Sequence, residues 1–133
     1  MQALAIELDI TNQVEFMGHI PHPAVVDAYQ GLDLEVFPSI VSESFGVAVL
    51  EASACGVPVV VSDIGGLPEV MLDNVTGLKA PPNDLQALAA AMQRLINDAD
   101  LRLTMGQQAR QFVCQHYDWS QNVAVMASAY AHQ

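Results

Sequence analysis

The stretch from Pro38 to Glu69, PSIVSESFGVAVLEASACGVPVVVSDIGGLPE, does most to limit what this chain can become, because it sets a helix directly before a buried strand. Gly46 to Ala54 reads as a helix that Gly56 stops and Pro58 prevents from continuing. Val57 to Val61 then supplies the β-branched apolar run expected of a parallel strand covered on both faces. Asp63-Ile64-Gly65-Gly66 is a loop, and Pro68 introduces a short helix over Leu67 to Leu72. A strand buried on both faces needs helices above and below it, which points to a layered α/β fold.

The flanking sequence carries the same alternation. Residues 1–9, MQALAIELD, look like the tail of a helix begun earlier, so a fragment is expected. Val14 to Met17 before Gly18 predicts a short strand, Ala24 to Gln30 a short helix, and Leu34 to Phe37 a strand ended by Pro38. Gly77 to Ala80 predicts another strand. After Pro81-Pro82, Asn83 or Asp84 can cap a helix with an apolar stripe of Leu85, Leu88, Ala89, Met92, Leu95 and Ile96. Further helices are expected from about Ala99 to Tyr117 and from Ser120 to Tyr130, the last carrying Val123, Val125 and Met126, with Trp119 anchored in the core. Strands alternating with helices at these lengths predict a Rossmann-like parallel sheet flanked by helices.

Composition narrows the function classes. A chain of 133 residues fits one domain, and 52% apolar with 14% charged residues argues against disorder. No run reaches the roughly 18 apolar residues that span a bilayer, so no membrane span is expected. No secretory signal is apparent at the start, which makes the cytoplasm the expected location. The net charge of −11 repels phosphate backbones and argues against a nucleic-acid partner. All four basic residues, Lys79, Arg94, Arg102 and Arg110, lie beyond residue 78. Cys55 and Cys114 lack a CxxC spacing and read as packed thiols, while His19, His22, His116 and His132 show no paired-ligand pattern, so no metal is expected.

The chemistry concentrates where ligands of doubly wound sheets gather, beyond the carboxyl ends of the strands. Pro38 to Ser44 is one such end and Ser62 to Gly66 another. A helix starting near Phe45 or Gly46 offers free backbone N–H groups and a positive dipole end suited to a diphosphate, and Gly46 removes the side chain where an anion must come close. Glu43 precedes that helix and Glu51 lies about five residues inside it, roughly 7.5 Å further along. That offset argues against one shared metal. Two acceptor-only carboxylates suit two hydroxyl-bearing rings on either side of a diphosphate. Glu43 can equally serve the helix dipole, Glu51 an internal hydrogen bond, and Gly65-Gly66 a turn instead of a phosphate contact.

The run PSIVSESFGVAVLEASACGVPVVVSDIGGLPEV, followed by TGLKAPPND, MGQQAR and HYDWSQ and preceded by VEFMGHI and DLEVFPS, closely resembles the carboxy-terminal domain of group 1 glycosyltransferases, the family-four retaining enzymes of GT-B fold. The likeness covers about residues 10–122. It implies a donor-binding domain for a nucleotide-diphosphate sugar and transfer with retention, without a metal or other cofactor. Glu43 would match the glutamate that reads the sugar hydroxyls and is the residue to which catalysis falls; Glu51 would match the one that holds the ribose. Phe45, Gly46 and Val47 would match the amides around sugar and diphosphate, and Ile20 the residue whose backbone meets the base. Ser42, Gly65 and Gly66 are further candidates.

Two departures temper the resemblance. The family's amino-terminal acceptor domain is missing, as are the first strands of the donor domain with their phosphate-binding Arg and Lys. Residues 1–133 are therefore expected to form a single partial domain that binds a nucleotide sugar weakly, transfers nothing alone and self-associates through an exposed sheet edge. The runner-up is a non-catalytic α/β binding or scaffold module of the same fold, with an epimerase or phosphorylase of similar architecture behind it.

Overall fold

The computed structural model describes residues 1–131, without the side chains at 121, 122, 125 and 131. Three strands, β1 (Glu35–Phe37), β2 (Val59–Ser62) and β3 (Gly77–Ala80), form one parallel sheet in the order β1-β2-β3. Val36 faces Val60, and Val60 faces Leu78 in turn. The helices are α1 (Gln2–Glu7), α2 (His22–Gln30), α3 (Val47–Ala54), α4 (Leu85–Asn97), α5 (Ala99–His116) and α6 (Trp119–Ala131).

The central strand organises both cores, as a strand buried on both faces must. Val59 and Val61 point into a cluster with Val49, Ala52, Leu67, Val70 and Met71, beneath α3. Val60 points the other way, with Leu78 of β3, Leu95 of α4 and Met105 of α5. β2 starts only at Val59, because the proline at 58 lacks the N–H a ladder needs; its carbonyl still accepts from Glu35 N at 3.0 Å.

Helix α5 lies hard against the turn that ends α3. A Cβ on Gly106 would stand 2.0 Å from the Gly56 carbonyl, so this crossing excludes any side chain. Arg110 fastens the same junction by donating from Nη1 to the Ala54 carbonyl at 2.9 Å, satisfying an orphan group at the end of α3. Asp84 and Asp98 cap α4 and α5, each accepting at 2.9 Å from the backbone N–H three residues on.

Several expectations change. Val14 to Met17 joins no strand, with Val14 extended and Val14, Phe16 and Met17 exposed: β1 is the sheet edge, and a segment without a neighbouring ladder does not become a strand. The helix expected from Gly46 begins at Val47, and that expected over 67–72 is a single 3-10 turn, Leu67–Val70, because Met71 is already extended. The apolar stripe of α4 runs through Leu88, Ala91, Met92 and Leu95, while Leu85, Ala89 and Ile96 face solvent. Trp119 is 78% exposed. Its anchoring role passes to Tyr117, whose ring meets Phe45 and Phe112 edge-on and whose hydroxyl donates to the Glu69 carbonyl at 3.2 Å. On α6, Val123 and Met126 are exposed and the Val125 side chain falls outside the described ones, as does His132 entirely. No helix among the described residues is long and apolar enough to cross a membrane.

Candidate functional site

The loop after β1 and the start of α3 enclose a cavity of about 310 Å³ lined by Phe37, Ser39, Glu43, Ser44, Phe45, Gly46, Val47, Ala48, Val49 and Leu67. Gly46 occupies the left-handed region at φ 84°, and a Cβ there would come within 2.9 Å of Leu67 Cδ2, so glycine is required on both counts. No side chain caps α3 and its first turn holds no acid, which leaves its opening N–H groups without the partner that Asp84 and Asp98 provide elsewhere. The amides and the positive end of the dipole suit an anion there.

Glu43 is exposed at the mouth, where its Oε1 accepts from Ser39 Oγ at 3.1 Å. One carboxylate oxygen is thus fixed and the other remains for a ligand. Behind it the Gly65-Gly66 loop presses on the backbone: Gly66 N–H donates to the Glu43 carbonyl at 2.8 Å. A Cβ on Gly65 would lie 2.4 Å from that carbonyl oxygen and 2.7 Å from Ser42 Oγ, and one on Gly66 would lie 2.6 Å from the Ser44 carbonyl. Gly65, Gly66 and Ser42 accordingly brace the Glu43 loop and do not line its cavity.

Glu51 stands apart, half-buried one turn further down α3, with Tyr29 O–H 3.5 Å from its Oε2. Burial first, then the neighbouring Glu35 and Glu51 charges, pushes the Tyr29 phenol from 10.0 up to about 12, so it remains a donor. Ile20 lines a different cavity of about 600 Å³ with Met17, His19, Tyr29, Leu32 and Glu35. Half-buried Glu35 has its pKa raised by desolvation. The predicted residues therefore fall into three groups: Glu43 with Phe45, Gly46 and Val47 around one cavity, Ile20 in another, and Glu51 between, joined to the second through Tyr29. Sequence reading missed Ser39 and Tyr29. Ser39 lies only four residues before Glu43 in the same serine-rich loop, a spacing that could have marked it, whereas Tyr29 reaches Glu51 from another helix and nothing local marks it. Among the described residues, no group of three or more His, Cys, Asp or Glu side chains converges as a metal site.

The profile of the family described as "Glycosyl transferases group 1" matches residues 1–112. A D-inositol 3-phosphate glycosyltransferase of Salinispora arenicola is 35% identical over 127 residues, covering 96% of this chain and 28% of that protein. The sucrose-phosphate synthase structure from Thermosynechococcus elongatus superposes at a TM-score of 0.92 with 34% identity, covering 98% of this chain and 33% of that one. Anabaena HepE in complex with UDP-glucose superposes at 0.91 with 26% identity, covering 99% and 36%. The chain thus spans about a third of the length of the proteins it matches.

Proposed function

We propose, for a chain that belongs to the group 1 glycosyl transferases, that it forms the donor-binding part of an enzyme that moves a sugar from a nucleotide diphosphate to an acceptor with retention of configuration. The observation that carries this is the uncapped amino terminus of α3 beside Glu43 in one cavity. The diphosphate sits on the Gly46 to Ala48 amides, Glu43 accepts hydrogen bonds from the sugar hydroxyls, Glu51 from the ribose, and Ile20 meets the base. The HepE complex with UDP-glucose supports a ligand of this class. Amides that stabilise the departing diphosphate and carboxylates that read the sugar by hydrogen bonds supply what such a transfer asks of the donor side, with no cofactor in the step.

Backbone amides alone neutralise a diphosphate poorly, and residues 1–78 contain no Lys or Arg. The chain by itself therefore binds weakly and transfers nothing, its acceptor half lying in a separate amino-terminal domain. Its open β1 edge favours self-association, which light scattering over a concentration series would register as a rising mass. Calorimetry with UDP-glucose tests the main reading. Millimolar binding that Glu51→Ala and Glu43→Ala each weaken is expected; binding indifferent to both variants overturns the site, and micromolar binding overturns the claim of weakness.

A further inference from the structure

Tyr29 sits near the end of α2, half-buried, with its ring against the cluster of Val49, Ala52 and Val59. Its hydroxyl reaches α3, 3.5 Å from the Ala48 carbonyl and 3.5 Å from Glu51 Oε2. The Ala48 carbonyl already lies within the hydrogen-bond ladder of α3, whereas the carboxylate has open lone pairs and a charge that strengthens any bond to it. The phenolic proton therefore belongs to Glu51. Among the described residues no other side chain donates to that carboxylate.

We infer that Tyr29 is a positioning residue for Glu51: its hydroxyl restrains Oε2 and leaves Oε1 to accept from the two vicinal hydroxyls of a ribose. This rests on the reading of Glu51 given above. A carboxylate on a flexible glutamate stem samples several rotamers, and a vicinal diol needs one of them held. At 3.5 Å the contact is longer than the usual 2.7–2.8 Å of an O–H···O bond. Such a contact tightens when ligand hydroxyls draw the carboxylate into place, as polar contacts of unliganded sites do. The nearest charges are those of Glu35 and Glu51, with the Cys55 thiol beside them, so no cation competes for the role.

The experiment titrates the full chain with UDP and with 2′,3′-dideoxy-UDP by protein-detected NMR, for the native protein, Tyr29→Phe, Glu51→Ala and the double variant. Tyr29→Phe should weaken UDP roughly three- to tenfold, the range for one hydrogen bond, and leave dideoxy-UDP unchanged. Glu51→Ala should erase the difference between the two nucleotides, and Tyr29→Phe should then add nothing. A Tyr29→Phe variant that weakens both nucleotides equally, or neither, while Glu51→Ala erases the preference, overturns the positioning role alone. A preference that survives Glu51→Ala, or no nucleotide binding at all, overturns the ribose reading and this inference with it. Carbon-13 observation of the Tyr29 ring gives a ligand-free readout: its pKa should fall from about 12 in Glu51→Gln, and an unmoved value overturns the contact.

Discussion

The Gly65-Gly66 loop braces Glu43 by close backbone contact, and three alanine substitutions separate the packing cost of that contact from the conformational cost of a left-handed residue. Gly18 has φ +66° and nothing within 4 Å of an added Cβ, so Gly18→Ala costs only the left-handed conformation, roughly 1–2 kcal/mol. Gly66 lies at φ −80°, where alanine is at ease, but its Cβ would stand 2.6 Å from the Ser44 carbonyl and 3.1 Å from Phe45 Cα. Gly66→Ala therefore costs only overpacking against backbone, roughly 1–3 kcal/mol. Gly65, at φ +58° and 2.4 Å from the Glu43 carbonyl, suffers both, roughly 2–5 kcal/mol. Each substitution gains the same small stabilisation from a stiffer unfolded chain, which cancels in the comparison. Urea unfolding at constant m-value gives the three differences, and the amide shifts of Glu43 to Phe45 should move in the two loop variants and not in Gly18→Ala. Gly65 and Gly18 share the left-handed cost, so Gly65→Ala should exceed Gly18→Ala by roughly 1–3 kcal/mol; an excess below about 0.5 kcal/mol, with the Glu43 to Phe45 amide shifts unmoved in both loop variants, would mean that the loop does not bear on Glu43.

Two further substitutions test the scaffold. Desolvation raises the pKa of Glu35 in the fold above its ordinary 4.5, so its protonated form is the one the fold prefers: stability is complete below that ordinary value and lost as pH rises through the raised one. Glu35→Gln should therefore stabilise the chain at pH 7, with the gain vanishing as pH falls below the ordinary carboxylate value, and melting temperatures of both proteins from pH 3.5 to 8 show whether the curves converge. Asp84→Ala removes the one side chain that caps α4 and should cost about 0.5–2 kcal/mol, while Asp84→Asn, also a good cap, should cost much less; equal losses would assign the effect to charge and not to the cap.

What could be read from the sequence was what is local. The alternation around Val59 to Val61, a cap at Asn83 or Asp84 and the Gly56 stop each lie within a few residues of the element they define, and each appears in the fold, the cap falling to Asp84. The Glu43 group was legible for the same reason, since Phe45, Gly46 and Val47 follow it directly along one turn into α3. The strand at 14–17 was not, because pairing depends on what lies beside it and β1 ends the sheet. Trp119 misled through its size: the apolar gap near Phe45 and Phe112 is filled by Tyr117, at the end of α5. Tyr29 and Glu51 are 22 residues apart and meet only because α2 packs on α3, which no spacing rule foresees.

The distribution of cations yields a last prediction about how the candidate site meets an anion. All four basic side chains have work elsewhere. Lys79 pairs with Asp63 at 3.3 Å, and Arg94 donates to Asn74 Oδ1 at 2.7 Å. Arg102 donates to the Leu95 and Ile96 carbonyls and pairs with Asp33, and Arg110 holds the Ala54 carbonyl. None lines the cavity around Glu43 and Gly46. A diphosphate there meets local attraction from the α3 amides and long-range repulsion from a chain of net charge −11. Salt screens the second far more than the first, because contacts at the helix terminus lie well inside the Debye length of about 10 Å at 0.1 M while the distributed charge does not. Raising sodium chloride from 50 to 300 mM should therefore leave UDP affinity unchanged or increase it, and should not touch uridine, which carries no charge. Ordinary cation-driven phosphate binding does the opposite. A UDP affinity that falls several-fold over this range would mean that one of the four cations leaves its partner for the ligand, and the assignment of the anion to backbone amides would be wrong.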